Sequence, residues 1–429
     1  MVSQAKESSR NYYVHIPFKR VSVIGLGYIG MPTAAILASR GIKVIGVDIN
    51  PKVVETINGG KIHIIEPELD AIVQTVVLSG KLLATTKPET ADAFVIAVPT
   101  PFKEKHEPDL SYVKTAAQSI APVLEKGNLV ILESTSPVGT TEQLASWLAE
   151  KRPDLQFPDQ ADESADIQIA YCPERVLPGR ILRELVENDR VIGGLTKRCA
   201  RRAMELYKIF VQGECVITDV RIAEMTKLTE NSFRDVNIAF ANELSMICEK
   251  LDIDVWALIQ LANRHPRVKI LQPGPGVGGH CIAIDPWFIV SAVPEYAQLI
   301  RMAREVNDSK PHYILTKIRE KATRFKAPII ACLGLSFKAD IDDLRESPSV
   351  DIVKELIAGN VGKLLVVEPY IEALPPSLNG NVGVELVDLE DALIQADIIV
   401  LLVNHKVFYD VDRKALEGKV VIDTRGIWK

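Results

Sequence analysis

The sequence predicts an α/β protein made of two doubly wound parallel-sheet domains joined by a long central helical region. Three observations predict it. Apolar runs of strand length alternate with helical patterns from residue 20 to about 196; helical periodicity alone dominates from Lys197 to Arg264; strand-and-turn signals return from Ala327. A chain of 429 residues is also too long for one core, at roughly 150 residues per domain. The expected divisions are a polar leader over 1–18, a first α/β domain over 19–196, a helical region over 197–325 and a second α/β domain over 326–429.

After the leader, the run Val21 to Ile24 meets Gly25, Gly27 and Gly30, a helical stretch follows to Arg40, and a second run, Val44 to Val47, ends in Asp48. A G-x-G-x-x-G between strand and helix, with an acid closing the next strand, is the dinucleotide fingerprint of a Rossmann-like domain. Gly25 gives the tight turn, Gly27 lets a pyrophosphate approach the helix N-terminus, and Gly30 lets helix and strand pack closely. Asp48 suits a ribose diol and repels a 2′-phosphate, which points to NAD over NADP. Further strands, Phe94 to Val98 and Leu129 to Leu132, run into Pro99-Thr100-Pro101 and Glu133-Ser134-Thr135. Glu174 follows the short run Ile167 to Ala170; it is a general base if partly buried and a surface salt-bridge partner if not.

In the helical region Ile222, Met225, Leu228, Phe233, Val236, Phe240, Leu244 and Ile247 recur at helical spacing from Arg221 to Leu251, a length suited to contact with a second subunit. Lys227, Asn231 and Arg234 share one face of it. They suit an anionic substrate or a developing oxyanion, or else form a solvated stripe. Beyond this helix, PGPGVGGHCIAIDP sets Cys281 at the end of a glycine- and proline-rich loop, four residues before Asp285. The glycines clear space for a ligand; the alternative is that Cys281 is a small buried hydrophobe.

The second α/β domain shows runs at Ile329 to Leu333, Leu364 to Val367 and Ile398 to Val403, and Ala396-Asp397 before its last run echoes Ala91-Asp92 in the first domain. Lys338 and Arg345, in GLSFKADIDDLRESP after the first of these strands, suit a phosphate or line a solvated loop.

Composition narrows the class. A net charge of -6 gives no basic surface for nucleic acid or anionic lipid, and no apolar run approaches membrane-spanning length. The 6 cysteines include no C-x-x-C pair, so neither a zinc site nor a disulfide framework is expected, and reduced thiols in a cytoplasmic protein are.

Taken together, VIGLGYIGMPTA, VPTPF, LESTSPVGT, AYCPERVLPG, EMTKLTENSFRDVNIAFANEL, NRHPRV, PGPGVGGHCIAIDPWF, GLSFKADIDDLRESP and VVEP resemble the UDP-glucose/GDP-mannose dehydrogenase family over nearly the whole chain. The resemblance implies an NAD-dependent, four-electron oxidation of a sugar C6 alcohol to a carboxylate, for bacterial surface polysaccharide. Cys281 is then the nucleophile, passing through a thiohemiacetal and a thioester, because a carbonyl has no hydride to give until a nucleophile makes it tetrahedral. Lys227 and Asn231 are implied as oxyanion stabilisers, Asp285 as the group that works on water with Lys227, and Glu174 as a second candidate base. For the cofactor the resemblance implies Tyr28, Ile29, Asp48, Thr100, Thr135 or Thr141, and Arg425. For the UDP-sugar it implies Arg175, Val176, Lys227, Asn231, Arg234, Gly278, Phe337, Lys338 and Arg345, with His265 and Arg267 reaching substrate across a homodimer interface. Lys227 or a helix terminus is expected to favour ionisation of Cys281.

Blocks such as IHIIEPEL, YCPERVLPGR and GGHCIAIDPWFIV are most similar to the branch acting on UDP-N-acetyl-D-mannosamine, and PGPGVGGH stands where glucose-oxidising relatives carry a phenylalanine-rich loop. The alternatives are the C2 epimer UDP-N-acetylglucosamine, a two-electron alcohol dehydrogenase on the same scaffold, and a non-catalytic UDP-sugar or NAD sensor.

Overall fold

The computed structural model describes residues 18–428 except 65, 67, 104, 105, 177, 178 and 280. The leader expected over 1–18 therefore lies outside the described residues but for Phe18, which is buried. The chain divides into two compact units, one of residues 1–100 and 109–225 and the other of 101–108 and 226–429.

The first unit carries β1 (Arg20–Ile24), β2 (Lys43–Val47), β3 (Leu82–Thr85), β4 (Ala93–Ile96), β5 (Leu129–Leu132), β6 (Gln168–Tyr171), β7 (Arg190–Gly194) and β8 (Cys215–Asp219), in sheet order β3-β2-β1-β4-β5-β6-β7-β8. The second carries β9 (Ile329–Leu333), β10 (Lys363–Val367), β11 (Val384–Leu386), β12 (Ile398–Leu401) and β13 (Val420–Asp423), ordered β11-β10-β9-β12-β13. The strand order of each sheet reverses beside its first strand, at β1/β4 and at β9/β12, which opens a crevice at the strands' carboxyl ends. Helices cover both faces, so the central strands are buried throughout and read as continuous apolar runs.

Two features of the first sheet escape the sequence patterns. β6 and β7 pair antiparallel, and β8 falls where only helix was expected. β8 is a largely exposed edge strand, so it lacks the apolar run that identifies a buried one.

The two sheets repeat one turn. Gly25 and Gly334 follow β1 and β9 at φ +91° and +93°, in the left-handed region where glycine is unstrained. Each donates its N–H to the last residue of the next strand, Val47 O and Val367 O, at 2.8 Å. The following leucine N–H goes to an acid just past that strand: Leu26 to Asp48 Oδ2 at 3.1 Å, and Leu335 to Glu368 Oε2 at 2.7 Å.

Val220–Lys250 is a helix of 31 residues, and the division between the two units falls inside it. Among the described residues no helix is long and apolar enough to cross a membrane.

Candidate active site

In the first unit the fingerprint residues divide by what crowds them. A Cβ on Gly25 would stand 2.5 Å from Ala97 O, and one on Gly30 would stand 1.8 Å from Gly25 O, so both are fixed by the turn itself. A Cβ on Gly27 would meet nothing within 4 Å, which leaves the approach to the helix Gly30–Ser39 clear. No side chain caps that helix, and a helix N-terminus with a clear approach suits a pyrophosphate. Tyr28 and Ile29 complete the turn, half-buried. Asp48 closes β2, its Oδ1 accepting from Asn50 N at 2.9 Å. These residues fit the adenosine end of a dinucleotide.

Thr100 donates its hydroxyl to Thr135 O at 2.6 Å, and both residues are half-buried at strand ends. Thr141 is fully buried, and its N–H and hydroxyl both go to Glu224 Oε1, at 2.8 and 2.7 Å. Of the two threonines, Thr141 is committed to Glu224 and Thr135 keeps some exposed surface.

Glu174 is buried as well, and both its oxygens are occupied. Oε1 accepts the Arg175 N–H at 2.7 Å, and Oε2 pairs with the buried Arg190 guanidinium at 2.5 Å. Glu133 is nearby; burial and the Glu174 charge push its carboxyl up to about 7, against the pull of Arg190 and of its bond from Tyr207 at 2.7 Å. Arg175 reaches Asp189 O at 3.2 Å, and Val176 packs against the core.

The second unit brings together the thiol and its expected partners. The long helix presents Lys227 and Asn231, buried and half-buried, while Arg234 lies exposed. A turn closes from Cys281 to the helix Asp285–Ala292, with Ile284 N and Asp285 N donating to Cys281 O at 3.0 and 2.8 Å. Asn231 Nδ2 donates to Asp285 Oδ2 at 2.5 Å. Burial raises the Asp285 carboxyl to about 7, although Lys227 and Asn231 draw it down.

Cys281 keeps surface open to solvent, yet the protein packed around its thiol, and then the Asp285 charge, push it up to about 11 against the opposing pull of Lys227 and Arg345. Lys227 acts in the expected direction, favouring the thiolate, but is outweighed by the protein packed around the thiol and by the Asp285 charge.

The loop before the cysteine is held by contact with the second α/β part. A Cβ on Gly278 would lie 2.3 Å from Glu346 O and 2.9 Å from Phe337 Cβ, and one on Gly279 would lie 2.9 Å from the Phe337 ring. Phe337 is half-buried there, and Lys338 is exposed. Arg345 forms a two-pronged pair with Asp343, at 2.9 and 2.7 Å. Arg425, expected at the cofactor, belongs to this unit and not to the fingerprint's; its Nε donates to Leu402 O at 3.0 Å, and burial lowers it to about 10. His265 and Arg267 are exposed, outside the cluster around the thiol.

One positioning group was missed. Asn242, fully buried on the long helix, accepts the Gly274 N–H at 2.9 Å at the base of the Cys281 loop and donates to Asn307 Oδ1 at 2.9 Å. Asn307 in turn donates to Asp235 Oδ1 at 2.8 Å, and Arg304 donates to the same oxygen at 2.6 Å. The signal was present: Asp235 and Asn242 stand seven apart, on one face of an otherwise amphipathic helix.

Comparison with known proteins identifies the family. The descriptions "UDP-glucose/GDP-mannose dehydrogenase family" NAD binding domain, central domain and UDP binding domain match residues 19–211, 221–309 and 331–429. The chain is 65% identical over 395 residues to UDP-N-acetyl-D-mannosamine dehydrogenase of Campylobacter jejuni, covering 92% of this chain and 97% of the relative. It is 63% identical over 415 residues to NDP-N-acetyl-D-galactosaminuronic acid dehydrogenase of Ralstonia solanacearum, with 97% of each covered. A solved UDP-D-ManNAc dehydrogenase from Pyrococcus horikoshii superposes with a TM-score of 0.85 at 40% identity over 96% of both chains. The chain belongs to the UDP-glucose/GDP-mannose dehydrogenase family and is an NAD-dependent oxidoreductase of UDP-sugars.

Proposed function

We propose that the protein oxidises the C6 alcohol of UDP-N-acetyl-D-mannosamine to the carboxylate, with both oxidation stages completed on Cys281, in the making of a surface polysaccharide. The gathering of Cys281, Asp285, Lys227 and Asn231 in one unit carries this reading. Bound NAD accepts one hydride from the substrate in each of two rounds.

The chain's own groups supply the rest. Lys227 and Asn231 stabilise the oxygen that becomes negative as the C6 carbon turns tetrahedral. Cys281 Sγ adds to the aldehyde carbon, its proton ending on the former carbonyl oxygen, to give a thiohemiacetal that has a hydride to lose; water then opens the resulting thioester to the carboxylic acid and returns a proton to Sγ. Asp285, at about 7, is poised to take and return a proton near neutrality, so it is the carboxylate that activates this water. Glu174, locked to Arg190, supports the fold of its loop instead. Gly278, Phe337, Lys338, Arg345 and Arg234 serve the UDP-sugar; Tyr28, Ile29, Asp48, Thr100 and Thr135 serve the cofactor.

The working form is a homodimer. Phe233, Phe240 and Ile247 stand seven apart on the long helix and are 71%, 52% and 46% exposed, an apolar stripe that a second copy would cover. His265 and Arg267 are exposed and so available to a partner's substrate.

Several relatives named for UDP-N-acetyl-D-mannosamine, at 59–65% identity, support that sugar. The Ralstonia relatives, named for N-acetyl-D-galactosaminuronic acid, favour a second reading in which a different epimer is used. NADH formation with the manno, gluco and galacto epimers of the UDP-N-acetylhexosamine decides between them. The manno epimer is expected to turn over fastest, and preference for either other epimer would sink the assignment.

A further inference from the structure

His405 follows β12 by four residues and is fully buried at the crevice where β9, β10 and β12 end. Three elements meet at its ring. The backbone N–H of Asp340 donates to Nδ1 at 3.0 Å. Because an amide N–H can only donate, Nδ1 carries no proton, and the ring's hydrogen is on Nε2. Nε2 faces Glu368 Oε2 at 3.1 Å and Ser336 Oγ at 3.4 Å. Ser336 Oγ donates its own hydrogen to Lys338 O at 2.6 Å, so its lone pairs face the ring.

The remaining neighbours leave this arrangement intact. Asp340 Oδ1 is 3.9 Å from Nδ1 and is taken by Tyr370 Oη at 3.0 Å and Lys406 N at 2.9 Å. Glu368 Oε2 also accepts from Leu335 N and Ser336 N, at 2.7 and 3.0 Å.

The segment so held, Ser336 to Asp340, contains Phe337 and Lys338. Asp340 closes it at φ +62°, a left-handed conformation uncommon among non-glycine residues and commonest for residues such as aspartate. Phe337 is the residue against which Gly278 and Gly279, just before Cys281, are packed.

We infer that His405 is a positioning residue for the UDP-sugar: by accepting the Asp340 N–H at Nδ1 it fixes the Phe337–Lys338 turn in the shape that takes the uridine diphosphate. This inference rests on the reading under "Proposed function" that Phe337 and Lys338 serve the nucleotide sugar.

Two near-isosteric substitutions separate the ring's two bonds. Asparagine at 405 places an acceptor near the Nδ1 position and loses the bond to Glu368; glutamine places a donor near Nε2 and loses the acceptor for Asp340. Calorimetric titration of the full chain with UDP is expected to give His405→Asn an affinity within about threefold of wild type and His405→Gln one at least about tenfold weaker, with NAD affinity within about twofold for both. Equal UDP affinities for the two variants, or the reverse order, would overturn the inference. Wild-type protein that binds no UDP would overturn the underlying functional reading and this inference with it. Independently of any variant, nitrogen-15 chemical shifts of His405 should report the Nε2–H tautomer at neutral pH. An Nδ1–H tautomer or an imidazolium there would contradict the assignment.

Discussion

The Asn231 amide donates to the Asp285 carboxylate at 2.5 Å, joining the group beside Cys281 to the helix that carries Lys227. The thiol, its carboxylate neighbour and its cation are thereby fixed by one helix and one turn, where burial, and then the neighbouring charges, shift Cys281 and Asp285.

Asp285 is held at about 7 in the folded protein, against roughly 3.9 for an unperturbed aspartate. The folded state therefore binds this proton more tightly than the unfolded chain. The sign follows: the group favours folding below about pH 4 and turns against it as pH rises toward 7. Asp285→Asn should raise stability at pH 8 by on the order of 1–4 kcal/mol, with Lys227 losing its countercharge keeping the gain toward the lower end, and should lose turnover. Urea unfolding at pH 4 and pH 8 checks it; a gain that is the same at both values contradicts it.

Cys281, raised to about 11, is a thiol at neutral pH in the free protein. Its alkylation rate, followed at its own peptide by mass spectrometry, should keep rising through pH 9 instead of levelling near the ~8.5 of a free cysteine. Removing the Asp285 charge should speed alkylation at pH 8, and Lys227→Met should slow it. Lys227→Met should also lower kcat by about 100-fold or more, the usual cost of losing an oxyanion donor.

The Glu174–Arg190 pair is buried on both sides. Arg190→Met leaves a buried carboxylate without its partner and should cost about 3–5 kcal/mol in denaturant unfolding, which measures this directly. An unfolding midpoint unchanged from wild type would return Glu174 to the list of free bases.

Phe233→Asp with Phe240→Asp puts charge into the exposed stripe of the long helix. Analytical ultracentrifugation should show a dimer for the wild type and a monomer for the variant. A variant that sediments like the wild type would place the subunit contact elsewhere.

What the sequence made legible was local. Gly25, Gly27 and Gly30 follow from the geometry of one turn, and the helix spacing of Lys227 and Asn231 follows from periodicity, so both survive without knowledge of tertiary contacts. Long-range pairing was not legible. Arg190 finds Glu174 through the antiparallel β6–β7 pair, and Asn242 finds Gly274 across 32 positions, neither of which leaves a short-range pattern. For Cys281 the pull of Lys227 could be read from the chain, but the packing around the thiol that outweighs it could not.

Both oxidation stages are proposed to finish on Cys281. The most direct test counts NADH formed against UDP-N-acetyl-D-mannosamine consumed, for the wild type and for Cys281→Ser. The wild type should form two NADH per sugar, and the variant should lose uronic acid formation. One NADH per sugar, or undiminished uronic acid from Cys281→Ser, would contradict the proposal.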